Sequence, residues 1–363
     1  MRRRVVVILV SFLASCSAVI DETPVPDALT VGSIERVFVS TNRAMEQDGS
    51  FGTGRSQSLS FLDVAVSVPP DRRVGDVTTG GERKNPEKDF VFARRDVLPS
   101  GNEFASELRT ALSARAPGHR EVTVFVHGYN NGFSEAVFRA AQLKYDLGLP
   151  GEMIAFAWPS RGSAFGYEYD KDSVLEARDS LERLLITLDR AGIGDIVLVG
   201  HSMGAFLVME TLRQIELKNP RWVARTLSGV ALVSPDIDVD VFRSQARQIT
   251  PLPQPFLIFS STEDRVLRVA ARLTGQPARL GNLSNVSDLQ NFPVTVIDVT
   301  AFSDDSATSH FVAGSSPALI AMIGQARNMD PNFLHGESGI SILLPGANQS
   351  ASTATRVVLE PGR

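Results

Sequence analysis

Residues 195–215 read DIVLVGHSMGAFLVMETLRQI. Residues 196–199 are aliphatic without interruption, which predicts a strand covered on both faces. From residue 205 to residue 215, apolar side chains recur at the spacing of one helix face. Because Gly200 and Gly204 stand between the two patterns, the chain is predicted to pass from strand to helix through one sharp turn.

The turn holds a serine between these two glycines. Gly200-His201-Ser202-Met203-Gly204 fits the pattern G-x-S-x-G, in which the serine adopts a strained backbone conformation at the start of a helix. Side chains at the two glycine positions would collide with the neighbouring strand and helix. The pattern also arises by chance, but its position between a predicted strand and a predicted helix makes Ser202 a candidate nucleophile. The alternative is a glycine-rich turn with an incidental serine.

Strands and helices alternate on both sides of this stretch. Strands are predicted at residues 36–40, 61–68, 122–126, 153–157, 196–199, 229–233, 256–259 and 294–299. Helical patterns separate the later strands, a last helix is predicted over residues 312–326, and residues 69–99 are predicted to form a long loop with an edge hairpin. This alternation is typical of parallel βαβ units. The sequence therefore predicts an α/β fold with a mostly parallel central sheet of about eight strands and helices on both faces.

The N-terminus has the pattern of an export signal. Three arginines precede a short apolar run that ends in Leu13-Ala14-Ser15-Cys16. The run is too short for a transmembrane helix, which needs about 20 apolar residues. Its last four residues resemble a bacterial lipobox, in which the cysteine is lipidated. The alternatives are ordinary cleavage, or an uncleaved anchor with an incidental cysteine.

These patterns divide the chain into four segments. We predict a signal peptide at residues 1–15, a lipidated tether at residues 16–33, a folded domain at residues 34–328 and a tail rich in Gly and Ser at residues 329–363. Lipid attachment at Cys16 predicts a protein anchored in the bacterial cell envelope, on the outer membrane or its periplasmic face. The tail is expected to be poorly ordered, although residues 340–344 could add an edge strand.

Composition argues against several classes of function. Lys and Arg total 36 against 41 for Asp and Glu, so no basic excess exists to bind a nucleic-acid backbone. The single cysteine excludes a disulfide within the chain and a cysteine-rich metal site. The spacing of Asp236, Asp238 and Asp240 suggests a calcium loop, but the glycine and the terminal glutamate of such a loop are missing. We predict neither a metal nor a cofactor, and the oligomeric state cannot be read from these residues.

A serine nucleophile needs a base, and the chain has five histidines. His310 follows the last predicted strand, at the sheet edge where all parallel strands end, and is the predicted base. The alternative for His310 is a solvated residue that caps a helix. His119 lies at the opposite edge, His335 lies in the tail, and the side chain of His201 is expected to diverge from that of Ser202.

Two aspartates could orient the imidazole of His310. Asp264 follows strand 256–259, and Asp236 follows strand 229–233. Each could instead cap the N-terminus of a helix. The strand before His310 is expected to pair with strand 256–259, which brings Asp264 one strand spacing nearer to the imidazole and favours it as the acid.

The loop after strand 122–126 reads HGYNNG and contains a tight turn that can direct backbone N–H groups into the site. The N–H of Met203 and that of Tyr129 or Asn130 are predicted to bind a developing oxyanion. His127 is predicted to be a structural hydrogen-bonding residue rather than a base. Aromatic residues after strand 153–157 are expected beside the site, or else packed over the core: Trp158, Tyr167 and Tyr169.

Taken in chain order, the motifs HGYNNGF, AFAWPSRG, GHSMG, SPDID, SSTEDRVL and SHF resemble the α/β-hydrolase superfamily. More narrowly, they resemble a bacterial esterase/lipase-like group of unknown function. The resemblance covers roughly residues 34–325 and implies an α/β-hydrolase fold with a Ser-His-Asp site. In that family the acid usually follows the seventh strand, which corresponds to Asp264. No large lid insertion is evident between the sixth and seventh strands, which argues against an interfacially activated lipase.

These observations lead to a main hypothesis and two alternatives. The main hypothesis is a serine hydrolase, carboxylesterase-like, that cleaves a small-molecule ester or thioester through an acyl-enzyme on Ser202. The first alternative is a binding or assembly lipoprotein that keeps the fold without catalysis. The second is an acyltransferase or amidase that uses the same residues.

Overall fold

The computed structural model describes residues 21–80, 83–163, 165–264, 266–268, 279–303, 310–329 and 354–360. The predicted signal peptide, Cys16, His335 and the possible strand at residues 340–344 lie outside the described residues. In the described ranges, no helix is long and apolar enough to cross a membrane.

One sheet contains the ten strands found in the described part of the chain. They are β1 (Ser33–Met45), β2 (Phe51–Val68), β3 (Val91–Leu98), β4 (Val122–Val126), β5 (Glu152–Ala157), β6 (Ile196–His201), β7 (Leu227–Val233), β8 (Phe256–Ser260), β9 (Thr295–Asp298) and β10 (Thr355–Val358). Their spatial order is β10-β9-β8-β7-β6-β4-β5-β1-β2-β3. β2 is antiparallel to both of its neighbours, and the other neighbouring strands are parallel. The carboxyl ends of the parallel strands therefore meet at one edge of the sheet.

Helices cover both faces of this sheet. The α-helices are α1 (Gly101–Ser113), α2 (Phe133–Asp146), α3 (Tyr167–Arg190), α4 (Met203–Lys218), α5 (Trp222–Thr226), α6 (Val239–Gln248), α7 (Val312–Ser315) and α8 (Pro317–Met329). One apolar cluster joins α1, α3, α4, α5 and α6 to the sheet, and a second joins α2, α7 and α8 to its other face. Neighbouring strand residues such as Val124 and Phe125 enter opposite clusters, which explains why the central strands are apolar at every position.

The predicted α/β architecture is confirmed, with more strands than expected. Within residues 69–99, where a loop with an edge hairpin was predicted, the described residues contain one strand, β3, which pairs with β2 at the edge of the sheet. β1 and β2 are longer than predicted. The final helix is divided in two, because Pro317 has no N–H to donate and begins a new helix. The extra strand at the opposite edge is formed by residues 355–358, which pair in parallel with β9. This strand lies in the segment that the sequence predicts to be a poorly ordered tail.

The segment before β1 also differs from the prediction. Residues 21–32 were expected to belong to a tether, but they pack against the sheet. The N–H of Val25 donates to the carbonyl of Phe92 at 2.7 Å. Glu22 is buried, forms an ion pair with Arg95 at 2.9 Å and accepts the N–H of Phe51. Contacts from Glu22 and Val25 thus hold this segment against β2 and β3. The sequence pattern does not predict these contacts.

Candidate active site

Ser202 lies in a sharp turn between β6 and α4. Its φ of +53° and ψ of −120° place it in a strained region of backbone conformation. The N–H of Ser202 donates to the carbonyl of Val233 at 3.0 Å, so the turn is bound to the end of the neighbouring strand β7. The strain is therefore maintained by the sheet, and it holds the serine side chain at the N-terminus of α4.

The two glycines of the turn have the steric role predicted for them. A Cβ atom at Gly204 would lie 2.3 Å from the carbonyl oxygen of His127. A Cβ atom at Gly200 would lie 2.7 Å from the Cα of Ala205. Both distances are too short for non-bonded atoms. Glycine at position 204 therefore lets α4 pack against the end of β4, and glycine at position 200 lets β6 turn directly into α4.

A chain of two hydrogen bonds joins Ser202 to a buried carboxylate. The Nδ1–H of His310 donates to Oδ2 of Asp264 at 2.7 Å, and the Oγ–H of Ser202 donates to Nε2 of His310 at 2.9 Å. Because an ionised carboxylate can only accept, the neutral imidazole carries its proton on Nδ1. Nε2 is then the nitrogen with a free lone pair toward the serine. This is the arrangement that a general base requires.

The loop after β8 buries Asp264. Its side chain is fully buried, and its Oδ1 accepts the N–H of Leu267 at 3.0 Å. β8 pairs with β9 in parallel, as expected, which brings the loop after β8 next to the chain that leads to His310. The expected contact between Asp264 and His310 is therefore present.

Asp236, the other candidate acid, faces away from the imidazole. Its Oδ2 accepts the hydroxyl of Tyr167 at 2.9 Å, and its Oδ1 lies 3.2 Å from Nε of Arg279. The hydrogen bond and burial both contribute to a raised pKa for Tyr167, with burial the larger cause. The backbone N–H of Asp236 donates to the carbonyl of Ser202 at 3.2 Å, so the residue still lies close to the nucleophile.

The predicted oxyanion donors divide into two groups. Met203 is the first residue of α4, where a backbone N–H has no partner within the helix. The N–H of Asn130 instead donates to Oδ2 of Asp170 at 3.3 Å, although Asn130 was a candidate donor. Asn130 adopts a φ of +59°, which turns its N–H toward that carboxylate. Met203 and Tyr129 therefore remain the candidate donors.

His127 has the environment of a structural residue. Its ring is stacked on Trp158 with centroids 4.9 Å apart, and its nitrogens lie 2.8 Å and 3.1 Å from the carbonyl oxygens of Gly128 and Trp158. Burial, reinforced by the charge of Arg43, lowers the pKa of His127 to about 3. The imidazole is consequently neutral at ordinary pH.

The sequence interpretation missed two buried charged residues that organise the site's loops. Arg43 donates to the carbonyls of Gly52, Ser160 and Asn131, and burial lowers its pKa to about 10. Asp170 accepts the hydroxyl of Ser160 at 2.6 Å and the N–H of Arg161 at 2.7 Å, and burial raises its pKa. An arginine near the end of a strand is a weak signal for such a role. Asp170 stands among the other acids of α3 and offers no sequence signal.

His201 is the last residue of β6, directly before the nucleophile, and its ring packs against the segment that carries His310. Its ring packs on that of Phe311, with the two centroids 4.4 Å apart, and its Nε2 lies 3.3 Å from the backbone oxygen of His310. Burial, with the neighbouring charge of His310 as a smaller cause, lowers the pKa of His201 well below its ordinary value. The residue therefore holds the His310 segment through a neutral ring.

A cleft of about 420 Å³ opens next to Met203, between α3, α4 and the loop after β7. Of the aromatic residues expected here, only Tyr167 lines the cleft. The ring of Tyr167 contacts that of Tyr129, with the two centroids 5.6 Å apart. Trp158 is buried behind the site, and Tyr169 contacts Arg55. The cleft thus lies beside the residue that follows the nucleophile, and Tyr167 in its wall contacts the loop after β4.

The acidic series that suggests a calcium loop has other partners. Asp238 caps α6 by accepting the N–H groups of Asp240 and Val241, and Asp240 forms an ion pair with Arg243. Within the described ranges, no group of three or more His, Cys, Asp or Glu residues is arranged to hold a metal ion.

The solved structures that the chain is similar to share little sequence with it. One named as a hydrolase from Agrobacterium vitis is 13% identical, with 86% of this chain and 89% of that chain covered and a TM-score of 0.30. An esterase from Rhodococcus is 14% identical, with 59% and 92% covered and a TM-score of 0.27. A thioesterase from Streptomyces coelicolor is 15% identical, with 59% and 91% covered and a TM-score of 0.29. No curated protein matches the sequence.

A family model described as alpha/beta hydrolase of unknown function (DUF900) matches residues 101–327. The match spans more than half of the chain and includes the turn at Ser202 together with Asp264 and His310. Its fold agrees with the sheet, the crossover helices and the turn described above. The chain belongs to this family of alpha/beta hydrolases.

Proposed function

We propose that the protein is a serine hydrolase, carboxylesterase-like, that cleaves an ester or thioester through an acyl-enzyme on Ser202. The observation that carries the proposal is the pair of hydrogen bonds from Ser202 through His310 to Asp264, at 2.9 Å and 2.7 Å. A serine hydroxyl is a weak nucleophile unless a base takes its proton, and this geometry supplies the base and a group that orients it.

In the acylation step, Oγ of Ser202 attacks the carbonyl carbon while its proton passes to Nε2 of His310. The carbonyl oxygen becomes an oxyanion, which the N–H of Met203 binds at the N-terminus of α4, with Tyr129 as the second proposed donor. Asp264 stabilises the imidazolium that forms. The tetrahedral intermediate then expels the alcohol or thiol, which takes the proton from His310.

Deacylation repeats these roles with water as the nucleophile. His310 removes a proton from water, the hydroxide adds to the acyl carbon, and the proton is returned to Oγ as the acid leaves. An alcohol in place of water would give acyl transfer by the same steps.

A fluorophosphonate probe tests the proposal, because it forms a covalent bond only with an activated serine. We expect labelling of the wild-type protein and none of Ser202→Ala. The matched control is Ser113→Ala, an exposed serine at the end of α1, which should label like the wild type. Absence of labelling in a folded wild-type sample, with no hydrolysis of p-nitrophenyl butanoate, would favour a non-catalytic binding lipoprotein.

We further propose that Cys16 is lipidated and anchors the enzyme in the cell envelope. The arginines, the short apolar run and the lipobox-like residues support this location. Because Cys16 is the only cysteine, thioether-linked lipid can attach nowhere else. Growth with an alkyne fatty acid should label the wild type and not Cys16→Ala, and equal labelling of both would refute the anchor.

A further inference from the structure

The segment that follows His310 contains little regular structure of its own. Phe311 comes next, and α7 after it is a single turn of four residues. A helix of one turn has too few internal hydrogen bonds to fix its own position, so tertiary contacts must do so. The position of this segment matters for the proposed reaction, because a misplacement of about 1 Å can cost about a hundredfold in rate.

Two side chains on one face of α2 contact this segment. Gln142 is fully buried, and an Nε2–H of its amide donates to the carbonyl of Gly314 at 3.1 Å. The guanidinium of Arg139 lies over the ring of Phe311, with Cζ 5.0 Å from the ring centroid, and a cation in this position is attracted to the ring. α2 therefore binds both the residue next to His310 and the helix that follows it.

The same two side chains belong to a buried polar network. Arg139 also donates to the carbonyl of Gly75 and to Oε1 of Gln142, both at 2.9 Å. Gln142 donates to Oδ2 of Asp146 at 2.7 Å, and this carboxylate forms a buried ion pair with Arg72. Arg72 and Gly75 lie in the chain between β2 and β3, so the network joins that chain to α2. Networks whose members are hydrogen-bonded in this way are rigid.

The chain between β2 and β3 also packs directly against α7. Gly75 has a φ of +89°, and a Cβ atom there would lie 2.2 Å from the carbonyl oxygen of Ser315. Burial lowers the pKa of Arg139 to about 10, and the charges of Asp76 and Asp146 oppose this shift. Arg139 is thus a cation at neutral pH and keeps its attraction to the aromatic ring.

We propose that Gln142 and Arg139 are positioning residues for His310. The inference rests on the proposed hydrolase function and deepens it, because it names the contacts that keep the base in line. Gln142 fixes α7, and Arg139 fixes the residue directly after the base. The imidazole is thereby kept 2.9 Å from Oγ of Ser202 and 2.7 Å from Oδ2 of Asp264.

Gln142→Met in the full-length protein is the main test, because methionine is close to glutamine in size and removes its hydrogen bonds. His310 acts in both acylation and deacylation, so a displaced base should lower kcat more than it changes KM. With p-nitrophenyl butanoate we expect kcat to fall by about tenfold to a hundredfold and KM to change by less than about threefold. An unchanged kcat in the folded variant would overturn the proposal.

Val137→Ala is the matched control for lost stability. Val137 is a buried apolar residue of α2, so its truncation weakens packing without removing a polar contact of the helix. Its kcat should stay within about twofold of the wild type, even where the midpoint of urea unfolding falls as far as in Gln142→Met. Equal losses of kcat at equal midpoints would mean that α2 acts through stability alone, which contradicts the proposal.

The Nδ1 proton of His310 gives a spectroscopic test that a purely structural role would not affect. A proton held between an imidazole and a carboxylate resonates far downfield in the ¹H NMR spectrum, and its loss in Asp264→Asn identifies it. We expect this resonance in the wild type and in Val137→Ala, and its shift or loss in Gln142→Met. The same resonance in Gln142→Met as in the wild type would show that the base has not moved, against the proposal.

Arg139→Lys and Arg139→Met keep the test decisive if Gln142→Met does not fold. Lysine retains a cation that can lie over the ring of Phe311, whereas methionine removes the charge. We expect kcat to be at least about fivefold higher for Arg139→Lys than for Arg139→Met. Equal kcat values for the two variants would refute the positioning role.

The failure of this role and that of the proposed function give different results. If the wild type cleaves p-nitrophenyl butanoate and the fluorophosphonate labels Ser202, but folded Gln142→Met is equally active, only the positioning role is wrong. If the wild type neither cleaves the ester nor takes up the label, the hydrolase proposal is wrong, and the positioning role is rejected with it.

Discussion

Buried ionisable side chains lie on two sides of Ser202 and are used differently. On the reactive side, formed by Asp264 and His310, each hydrogen bond leads from one side chain to the next and ends at Oγ of Ser202. On the supporting side, formed by Arg43, His127 and Asp170, most partners are backbone carbonyls and N–H groups. Asp264 is as deeply buried as Arg43, His127 and Asp170, so burial alone does not distinguish reactive residues from structural ones.

The direction of the hydrogen bonds is what separates the two sides. A backbone partner fixes the path of a loop, whereas a side-chain partner that ends at a nucleophile can move a proton. On the supporting side, burial also lowers the pKa of His127 to about 3, which keeps its imidazole neutral, and burial raises the pKa of Asp170. We therefore expect changes on the reactive side to affect activity and changes on the supporting side to affect stability.

The largest effect is expected for Asp264→Asn. The amide would favour the tautomer with the proton on Nε2 of His310, so the imidazole could no longer accept the proton of Ser202. The turnover of p-nitrophenyl butanoate should fall by about 10⁴, while the midpoint of urea unfolding changes little. A loss of turnover smaller than about tenfold would show that Asp264 is not the acid that orients His310.

Asp170→Asn should give the opposite result. The carboxylate of Asp170 accepts hydrogen bonds from the hydroxyl of Ser160 and from the N–H groups of Arg161 and Asn130. The amide of asparagine would place two N–H donors where an acceptor is needed. Removing the negative charge of Asp170 also leaves the buried positive charge of Arg43 with less compensating charge nearby. We expect the free energy of unfolding to fall by about 2–4 kcal/mol, because buried polar groups lose their partners. Urea unfolding measures this loss, and unchanged stability would show that Asp170 does not support the loops.

The supporting side also predicts how stability depends on pH. The pKa of His127 is about 3 in the folded protein against the ordinary 6.5, so below pH 6.5 the unfolded chain binds a proton that the folded chain does not. Stability is therefore complete above pH 6.5 and decreases by about 1.4 kcal/mol per pH unit for this histidine as the pH falls toward 3.

Urea unfolding at pH 7.5, 6 and 5 tests this dependence. His127→Gln removes the titrating ring, so its stability should fall less steeply with decreasing pH than that of the wild type, and the difference between the two proteins isolates this group. Parallel pH profiles for the two proteins would mean that folding does not lower the pKa of His127.

The smallest effect is expected for Asp236→Asn. Asp236 follows a strand next to that of Asp264, but its side chain contacts Tyr167 and Arg279 rather than His310. The turnover of p-nitrophenyl butanoate should fall by at most about tenfold, which follows from loss of the Tyr167 and Arg279 contacts. A fall near 10⁴, together with an active Asp264→Asn, would transfer the acid role to Asp236.

Local sequence patterns determined the elements that position the candidate site. Uninterrupted aliphatic runs identified the central strands, and Gly200 and Gly204 identified the strained turn at Ser202, because short-range sterics set both features. The position of His310 after the last strand of the parallel sheet, and the expected pairing of β8 with β9, led to Asp264 as its partner. Strand order can be inferred from topology, so this contact was predictable.

The tertiary structure alone decided which polar groups meet around the turn. Arg43 on β1 contacts loops that follow β4 and β5, the N–H of Asn130 is bound by Asp170, and Asp236 pairs with Tyr167 and Arg279. Residues 355–358 add a strand beside β9 although their composition indicates a tail. These contacts join segments far apart in the chain, and many pairings are compatible with one hydrophobic pattern. Only the packed geometry, in which each buried charge must find a donor or acceptor, selects among them.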